Sequence, residues 1–202
     1  MTTVYNERYG SSELYWGEKP SSMAHRVLES KPPTSQLNLL DVGCGEGKDS
    51  IFFAKNGYQV SAFDASEVGI SKTREIAGRL NLEIDLQVSD INEYSPQQTF
   101  NIVFSSGTLQ YLKPNLRKPF IESLKIKTVV GGIHVLHTFV FKPFLDRAPD
   151  AEESESLWTS GELMSYYHDW QIEWSLEEIK DCMSSGVADK HAHNRILARR
   201  VI

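Results

Sequence analysis

Three glycines in five residues, Gly43, Gly45 and Gly47, follow directly on the apolar run Leu37 to Val42, which carries Asp41 near its end. About 20 residues beyond the first glycine, a second apolar run closes on Asp64. Glycines let the backbone take positive φ and approach a ligand where any Cβ would collide. A carboxylate at the end of the next strand accepts the two hydroxyls of a ribose. These residues therefore point to recognition of an adenosine-type ligand. A second group lies near the C-terminus, where His191, His193 and Arg195 recur at alternate positions and Cys182 precedes them. On an extended strand those three share one face. Two imidazoles and a guanidinium there would bind an oxyanion through charge-assisted hydrogen bonds, or would be polar residues of an exposed sheet edge. Cys182, His191 and His193 are of ligand type for a metal, but their spacing is not that of a compact zinc motif, and no metal centre is expected. Cys182 would serve equally as a thiolate toward a soft centre or as a small buried hydrophobe.

The glycine spacing separates the nucleotide ligands. A dinucleotide fingerprint, G-x-G-x-x-G, needs its third glycine at position 48, which is Lys48. A phosphate-cradling P-loop ending at Gly47-Lys48 needs glycine at position 42 and Ser or Thr at 49, where Val42 and Asp49 stand. Neither phosphate motif is met, and G-x-G-x-G preceded by an acidic residue remains.

The elements that must position these residues follow from the apolar pattern. Leu37–Val42 and Tyr58–Asp64 predict buried parallel strands, joined by a helix over Asp49–Asn56 that stops at Gly57. A helix to about Asn81 follows Ser66-Glu67, with Ile70, Ile76, Ala77 and Leu80 on one face. Leu82–Val88, Phe100–Phe104 and Ile133–Phe141 predict the third to fifth strands, with a helix over Asn115–Lys127 and a turn at Gly131-Gly132. A last helix covers Ser160–Trp170. Gln171–Ile179 and Asn194–Ile202 predict an antiparallel hairpin at the sheet edge. The reading is a single α/β domain over 1–202: one seven-stranded, mostly parallel sheet with helices on both faces. Residues 1–36, carrying Tyr5, Tyr9, Tyr15 and Trp16, form a helical segment packed on the sheet or a flap over the ligand. The irregular acidic stretch 142–159, with Asp150, Glu152, Glu153 and Glu155, is expected to be a lid loop. His134 and His137 fall on opposite faces of the fifth strand, and with His168 they read as core or rim residues.

Composition narrows the partners. The chain has 202 residues, 40% hydrophobic, and a formal charge of -6, so its average surface repels a phosphate backbone and no nucleic acid partner is expected. Two cysteines cannot make a disulfide framework. No apolar run approaches the roughly 18 residues of a membrane span, and Met1–Arg8 lacks a signal peptide's apolar core. A soluble cytoplasmic protein, monomer or homodimer, acting on a small molecule without membrane association is the simplest expectation.

Asp41 and the G-x-G-x-G loop resemble motif I of the class I S-adenosylmethionine (SAM) methyltransferases, whose Rossmann-like fold the strand pattern suits. SAM carries an adenosine and an amino acid tail but no pyrophosphate. Across nearly the whole chain, Tyr15-Trp16-Gly17, Leu40–Lys48, Ser160-Gly161-Glu162-Leu163 with Tyr166-Tyr167 and Trp170, and Ile196-Leu197-Ala198-Arg199-Arg200 look like the tellurite-resistance (TehB-like) methyltransferase family. The resemblance implies SAM as cofactor, held by Trp16, Asp41, Gly43, Gly45, Asp64, Ala65, Asp90, Ile91, Ser105, Ser106 and Leu109, with Asp90 on the adenine amino group. It implies methyl transfer to a tellurite- or selenite-type oxyanion; the alternation of His191, His193 and Arg195, not the resemblance, makes those three the catalytic candidates. Better-known members of the family carry a His-Arg pair after the sixth strand, where this chain reads Asp181-Cys182-Met183-Ser184-Ser185-Gly186. The loop Ser105–Leu112 lacks the Asn or Asp with prolines and an aromatic residue typical of enzymes that methylate nucleic acid bases. An organic acceptor, or a non-catalytic SAM sensor, remains as the alternative expectation.

Overall fold

The computed structural model describes residues 2–149, 151–183 and 186–202. Asp150 of the acidic stretch, and Ser184 and Ser185 of the segment after the sixth strand, lie outside the described residues. Among these, seven strands form one sheet: β1 (Asn38–Val42), β2 (Gln59–Asp64), β3 (Ile84–Val88), β4 (Phe100–Ser106), β5 (Thr128–Val140), β6 (Gln171–Cys182) and β7 (Asp189–Arg199). Their order is β3-β2-β1-β4-β5-β7-β6, and β7 alone runs antiparallel, against β5 on one side and β6 on the other. The helices are α1 (Thr2–Arg8), α2 (Ser22–Ser30), α3 (Lys48–Lys55), α4 (Glu67–Arg79), α5 (Pro114–Ile126) and α6 (Glu162–Ser165).

Alternation along the strands supplies two cores, one for each face. Leu40, Val42, Val103 and Leu136 pack with Phe120, Ile121 and Leu124 of α5. Leu39, Val60, Ala62, Ile102, Phe104 and Val135 pack with Met23 and Val27 of α2 and Phe53 of α3. Helices thus cover both faces, as a mostly parallel sheet buried on both sides requires. The parallel order runs one way from β1 through β2 to β3 and the other way from β1 through β4 to β5, so β1 and β4 mark the switch point where α/β sheets bind ligands at the strands' carboxyl ends.

Several boundaries differ from the sequence expectation. Gly131-Gly132 does not form a turn. Both lie inside β5, where the register against β4 slips between Phe100 and Ile102; the pair absorbs an irregularity that a side chain at Gly132 would block, since its Cβ would lie 2.5 Å from Thr128. β6 runs past Ile179 to Cys182 and β7 begins at Asp189 rather than Asn194, because the hairpin ladder continues to the pair Cys182 and Asp189. The last helix shrinks to Glu162–Ser165, followed by turns that bring Tyr167 and Trp170 into the core. No helix among the described residues is long and apolar enough to cross a membrane.

Candidate active site

The glycine loop folds over the end of β2. Gly43 and Cys44 donate their N–H groups to the Phe63 carbonyl at 2.9 and 3.0 Å. Gly45 donates to Oδ2 of Asp64 at 2.9 Å, and Ser66 donates to Oδ1 at 2.8 Å. Gly43, Gly45 and Gly47 all have positive φ, at 72°, 56° and 78°. Thr108 Oγ1 donates to the Gly43 carbonyl at 3.1 Å, closing the loop from the β4 side.

Three carboxylates lie beneath this loop. Asp41 is buried and accepts Ser50 Oγ at 2.6 Å. Burial, then Asp49 and Asp64, push its pKa up to about 8 against the bond from Ser50. Burial also raises Asp49 and Asp64, against the backbone donors of Ser21 and Ser66 respectively. Raised acids gathered in one place form a site that a cation would complete.

The N-terminal segment clamps the loop from outside. Buried Glu46 accepts the Tyr15 N–H at 2.8 Å and Lys72 Nζ at 2.7 Å, Asp49 accepts the Ser21 N–H at 2.7 Å, and Trp16 Nε1 donates to Tyr9 Oη at 3.2 Å. Within the N-terminal segment α2 packs on the sheet, while Tyr9 and Trp16 border the cavity. That cavity, of about 570 Å³, reaches from the glycine loop to the β6–β7 hairpin, a size suited to a nucleoside and a small acceptor together.

Of the residues expected to hold a cofactor, Trp16, Asp41, Gly43, Gly45, Asp64, Ala65, Ile91 and Ser106 line this cavity. The other three take structural partners. Asp90 turns Oδ1 to the N–H and the side-chain amide of Asn92, both at 2.8 Å. Ser105 is buried and donates to the Val42 carbonyl at 3.0 Å. Leu109 is fully buried, and its carbonyl accepts Trp158 Nε1 at 2.9 Å.

At the opposite end, His191 and His193 reach the cavity with His137 and Phe139. Arg195 does not join them. It shares their face of β7, but its guanidinium donates to Glu178 on the neighbouring strand at 2.5 Å and is absent from the cavity wall. His137 Nε2 and His193 Nδ1 are hydrogen-bonded at 2.8 Å, one ring donating to the other. Burial, then the positive charge of Arg195, lowers His193 to about 4; burial, then His193, holds His137 well below its ordinary value. Both rings are neutral near pH 7, so they offer hydrogen bonds and lone pairs but no charge. His134, expected as a core or rim residue, is in the core, bridging Thr128 at 2.7 Å and Tyr167 at 2.6 Å.

Segment 142–159 contacts the N-terminal helix over the cavity. Arg8 pairs with Glu152 at 3.2 Å, and Tyr5 and Tyr111 join hydroxyls at 2.7 Å. Trp158 is fully buried and fixes the C-terminal end of the stretch.

Sequence reading missed the roles of Glu46, Asp49 and Thr108. The acids at 46 and 49 flank the glycines and carry a signal, as charges beside a motif of close backbone approach. Thr108 carries none, because its contact with Gly43 crosses 65 residues of chain.

A mostly parallel sheet with one antiparallel strand inserted beside the edge, and a glycine loop at its switch point, defines the Rossmann-like fold of the class I methyltransferases. The family model described as "Tellurite resistance protein TehB" matches residues 13–198, and the chain belongs to that family. It is 27% identical over 166 residues to the "Probable S-adenosyl-L-methionine-dependent methyltransferase TehB" of Haemophilus influenzae, covering 81% of this chain and 57% of that protein. The chain thus spans little more than half the length of that curated relative. A 2-heptyl-1-hydroxyquinolin-4(1H)-one methyltransferase of Mycobacteroides abscessus is 23% identical over 196 residues, 89% of this chain and 81% of that one. Among solved structures, TehB from Haemophilus influenzae superposes with a TM-score of 0.79 at 22% identity, covering 98% of this chain and 66% of that one. A 1,6-didemethyltoxoflavin-N1-methyltransferase from Burkholderia thailandensis, holding 1,6-didemethyltoxoflavin and S-adenosylhomocysteine, superposes at 0.69 and 16% identity, covering 100% and 87%. These last two likenesses are of fold.

Proposed function

We propose that this chain is a SAM-dependent methyltransferase for a small acceptor, with a metalloid oxyanion of the tellurite or selenite class as that acceptor. The observation that carries the cofactor is the pairing of Asp64 with the glycine loop above a buried cluster of acids. SAM fits this donor set: its ribose hydroxyls suit the remaining lone pairs of Asp64, and its sulfonium and ammonium suit Asp41 and its neighbours. When bound, SAM supplies a methyl group already activated by positive sulfur.

The protein's task is then chiefly to hold acceptor and methyl in line, which supplies roughly 7 to 11 kcal/mol, against about 3 to 5 kcal/mol from a general base. Trp16 and Tyr9 border the cofactor end and shield it from water. His193 and His137 face the acceptor end and orient it by neutral hydrogen bonds. A tellurium(IV) or selenium(IV) centre takes the methyl on its lone pair and sheds no proton, so a site without an ionised base is sufficient.

An organic acceptor is the second reading, favoured by the apolar wall of Phe139, Phe141 and Leu145 around the same histidines. There His193, neutral and lone-pair bearing, is placed to take a proton. The test is release of S-adenosylhomocysteine by the purified protein with SAM, with and without tellurite or selenite. Oxyanion-dependent release is expected. Release only with heteroaromatic hydroxyl or thiol acceptors would overturn the first reading in favour of the second, and SAM binding without any turnover would leave a sensor.

A further inference from the structure

At the turn end of the β6–β7 hairpin, Cys182 and Asp189 stand directly opposite each other as the last pair of the ladder. Two residues along β7, on the same face, His191 brings its imidazole to Asp189, with Nε2 2.7 Å from Oδ2. One potential ligand atom from each of Cys182, Asp189 and His191 lies within 4.8 Å of the others. Hydrogen bonding explains only part of this cluster. The second carboxylate oxygen of Asp189, Oδ1, is buried and has no hydrogen-bond partner among the described residues. A buried carboxylate oxygen left without a donor is costly, and a cation resolves that cost where no N–H or O–H does.

We propose that Cys182, Asp189 and His191 form a binding site for a borderline-soft divalent cation of the zinc class. The donor set is one sulfur, one nitrogen and one oxygen, which suits zinc and not magnesium or calcium. Bonds of about 2.0 to 2.3 Å in a tetrahedral arrangement give ligand separations of about 3.3 to 3.8 Å, so the hairpin closes by at most about 1.5 Å on the ion. Three protein ligands leave a fourth position. Cys182 and His191 both line the cavity, so that position opens toward the acceptor end, as in sites where a fourth ligand is exchangeable. A cation there restores the positive charge that Arg195, held by Glu178, does not bring to the cavity. The site stands on the hairpin alone and does not rest on the methyltransferase reading.

The experiment is titration of the metal-free protein with Co2+, followed by its thiolate-to-cobalt charge-transfer absorption, with competition by Zn2+. The wild type is expected to bind one Co2+ with that absorption and to exchange it for Zn2+. Cys182→Ser abolishes the band, and the near-isosteric Asp189→Asn and His191→Ala each weaken binding by about tenfold or more. Cys44→Ser, which removes the other cysteine, leaves the band unchanged. Unfolding midpoints of the variants establish that the hairpin is intact. Absence of the band in wild type, its persistence in Cys182→Ser, or unchanged affinity in both Asp189→Asn and His191→Ala would overturn the site.

Discussion

His137 Nε2 and His193 Nδ1 lie 2.8 Å apart across the β5–β7 ladder, one the donor and the other the acceptor, although 56 residues separate them in the chain. The pair locks two neutral rings against the cavity, and replacing His193 separates the two proposed acceptors. With an acceptor that must lose a proton, His193→Gln should lower kcat/KM by about 10² to 10⁴; with tellurite or selenite the loss should stay under about tenfold. Arg195→Ala should change kcat/KM by less than about threefold for either, because Glu178 already holds that side chain away from the cavity. Steady-state kinetics with each acceptor, at unchanged SAM affinity, is the measurement. An unaltered kcat/KM for every acceptor would remove His193 from the acceptor end.

Asp64 joins the glycine loop to the end of β2 and faces the cavity. Asp64→Ala should weaken SAM binding by about 10²-fold, or about 2.7 kcal/mol, because hydrogen bonds to a charged acceptor carry about 1.5 to 3 kcal/mol. Asp90→Ala should cost less, since one of its oxygens is already engaged by Asn92. Calorimetric titration with SAM gives both values, and an Asp64 variant of wild-type affinity would refute the assignment.

The β-α-β unit was legible in the sequence because its constraints are local. Apolar runs end at glycines, and an acid sits where the next strand must stop. The same logic found the seven strands and put His191 and His193 on one face. What it could not find are contacts set by register. Nothing near Arg195 in the chain announces Glu178, which faces it only because β6 and β7 pair as they do. The Tyr5 and Tyr111 hydroxyls meet across 106 residues, and the side chain of Tyr9 settles against Gly45 from a helix end that the sequence left undecided between flap and support. Gly131-Gly132 read as a turn because two glycines satisfy a turn and a bulged strand equally well.

The three glycines are not equivalent. A Cβ at Gly43 would sit 2.2 Å from both Oγ1 and Cγ2 of Thr108, whereas one at Gly45 would meet only the Tyr9 hydroxyl, at 2.8 Å. Both alanines carry the left-handed strain of about 1 to 2 kcal/mol. Gly43→Ala adds overpacking of about 1 to 3 kcal/mol, because the Cβ of Thr108 itself would lie 2.5 Å away and no rotation relieves that, while Tyr9 can yield its tip. Urea unfolding should therefore rank Gly43→Ala as the more damaging; the reverse order would mean that the loop is anchored elsewhere.

Trp158 is fully buried and donates to the Leu109 carbonyl at 2.9 Å, next to the Tyr111 contact of the N-terminal helix. A lid formed by the acidic segment would therefore hinge before residue 158. Trp158→Ala should cost about 3 to 5 kcal/mol and Trp158→Phe markedly less. In the wild type, protease cleavage before residue 158 should slow when SAM and acceptor are present together. Cleavage at an unchanged rate would mean that this segment does not close over the site.

Asp41 gives the site a pH dependence whose sign is fixed by its surroundings. Burial, with Asp49 and Asp64 nearby and only Lys48 and Ser50 opposing them, lifts its folded pKa to about 8, above an unfolded value of about 3.9. The folded protein therefore binds the proton more tightly. The stability this contributes is fully present below about pH 4 and is lost as pH rises toward 8. A bound cation reverses the preference, because the ionised carboxylate is the form that attracts sulfonium and ammonium groups. SAM binding should then release a proton and should weaken by up to about tenfold for each pH unit below 8, levelling off above it. Ser50→Ala removes the hydrogen bond that favours the ionised form, so the midpoint should move to higher pH. The rise in Tm given by saturating SAM, followed from pH 6 to 9, reads both effects. A Tm shift and a Kd independent of pH between 6 and 8 would show that Asp41 is already ionised, or that the cationic part of the ligand lies elsewhere.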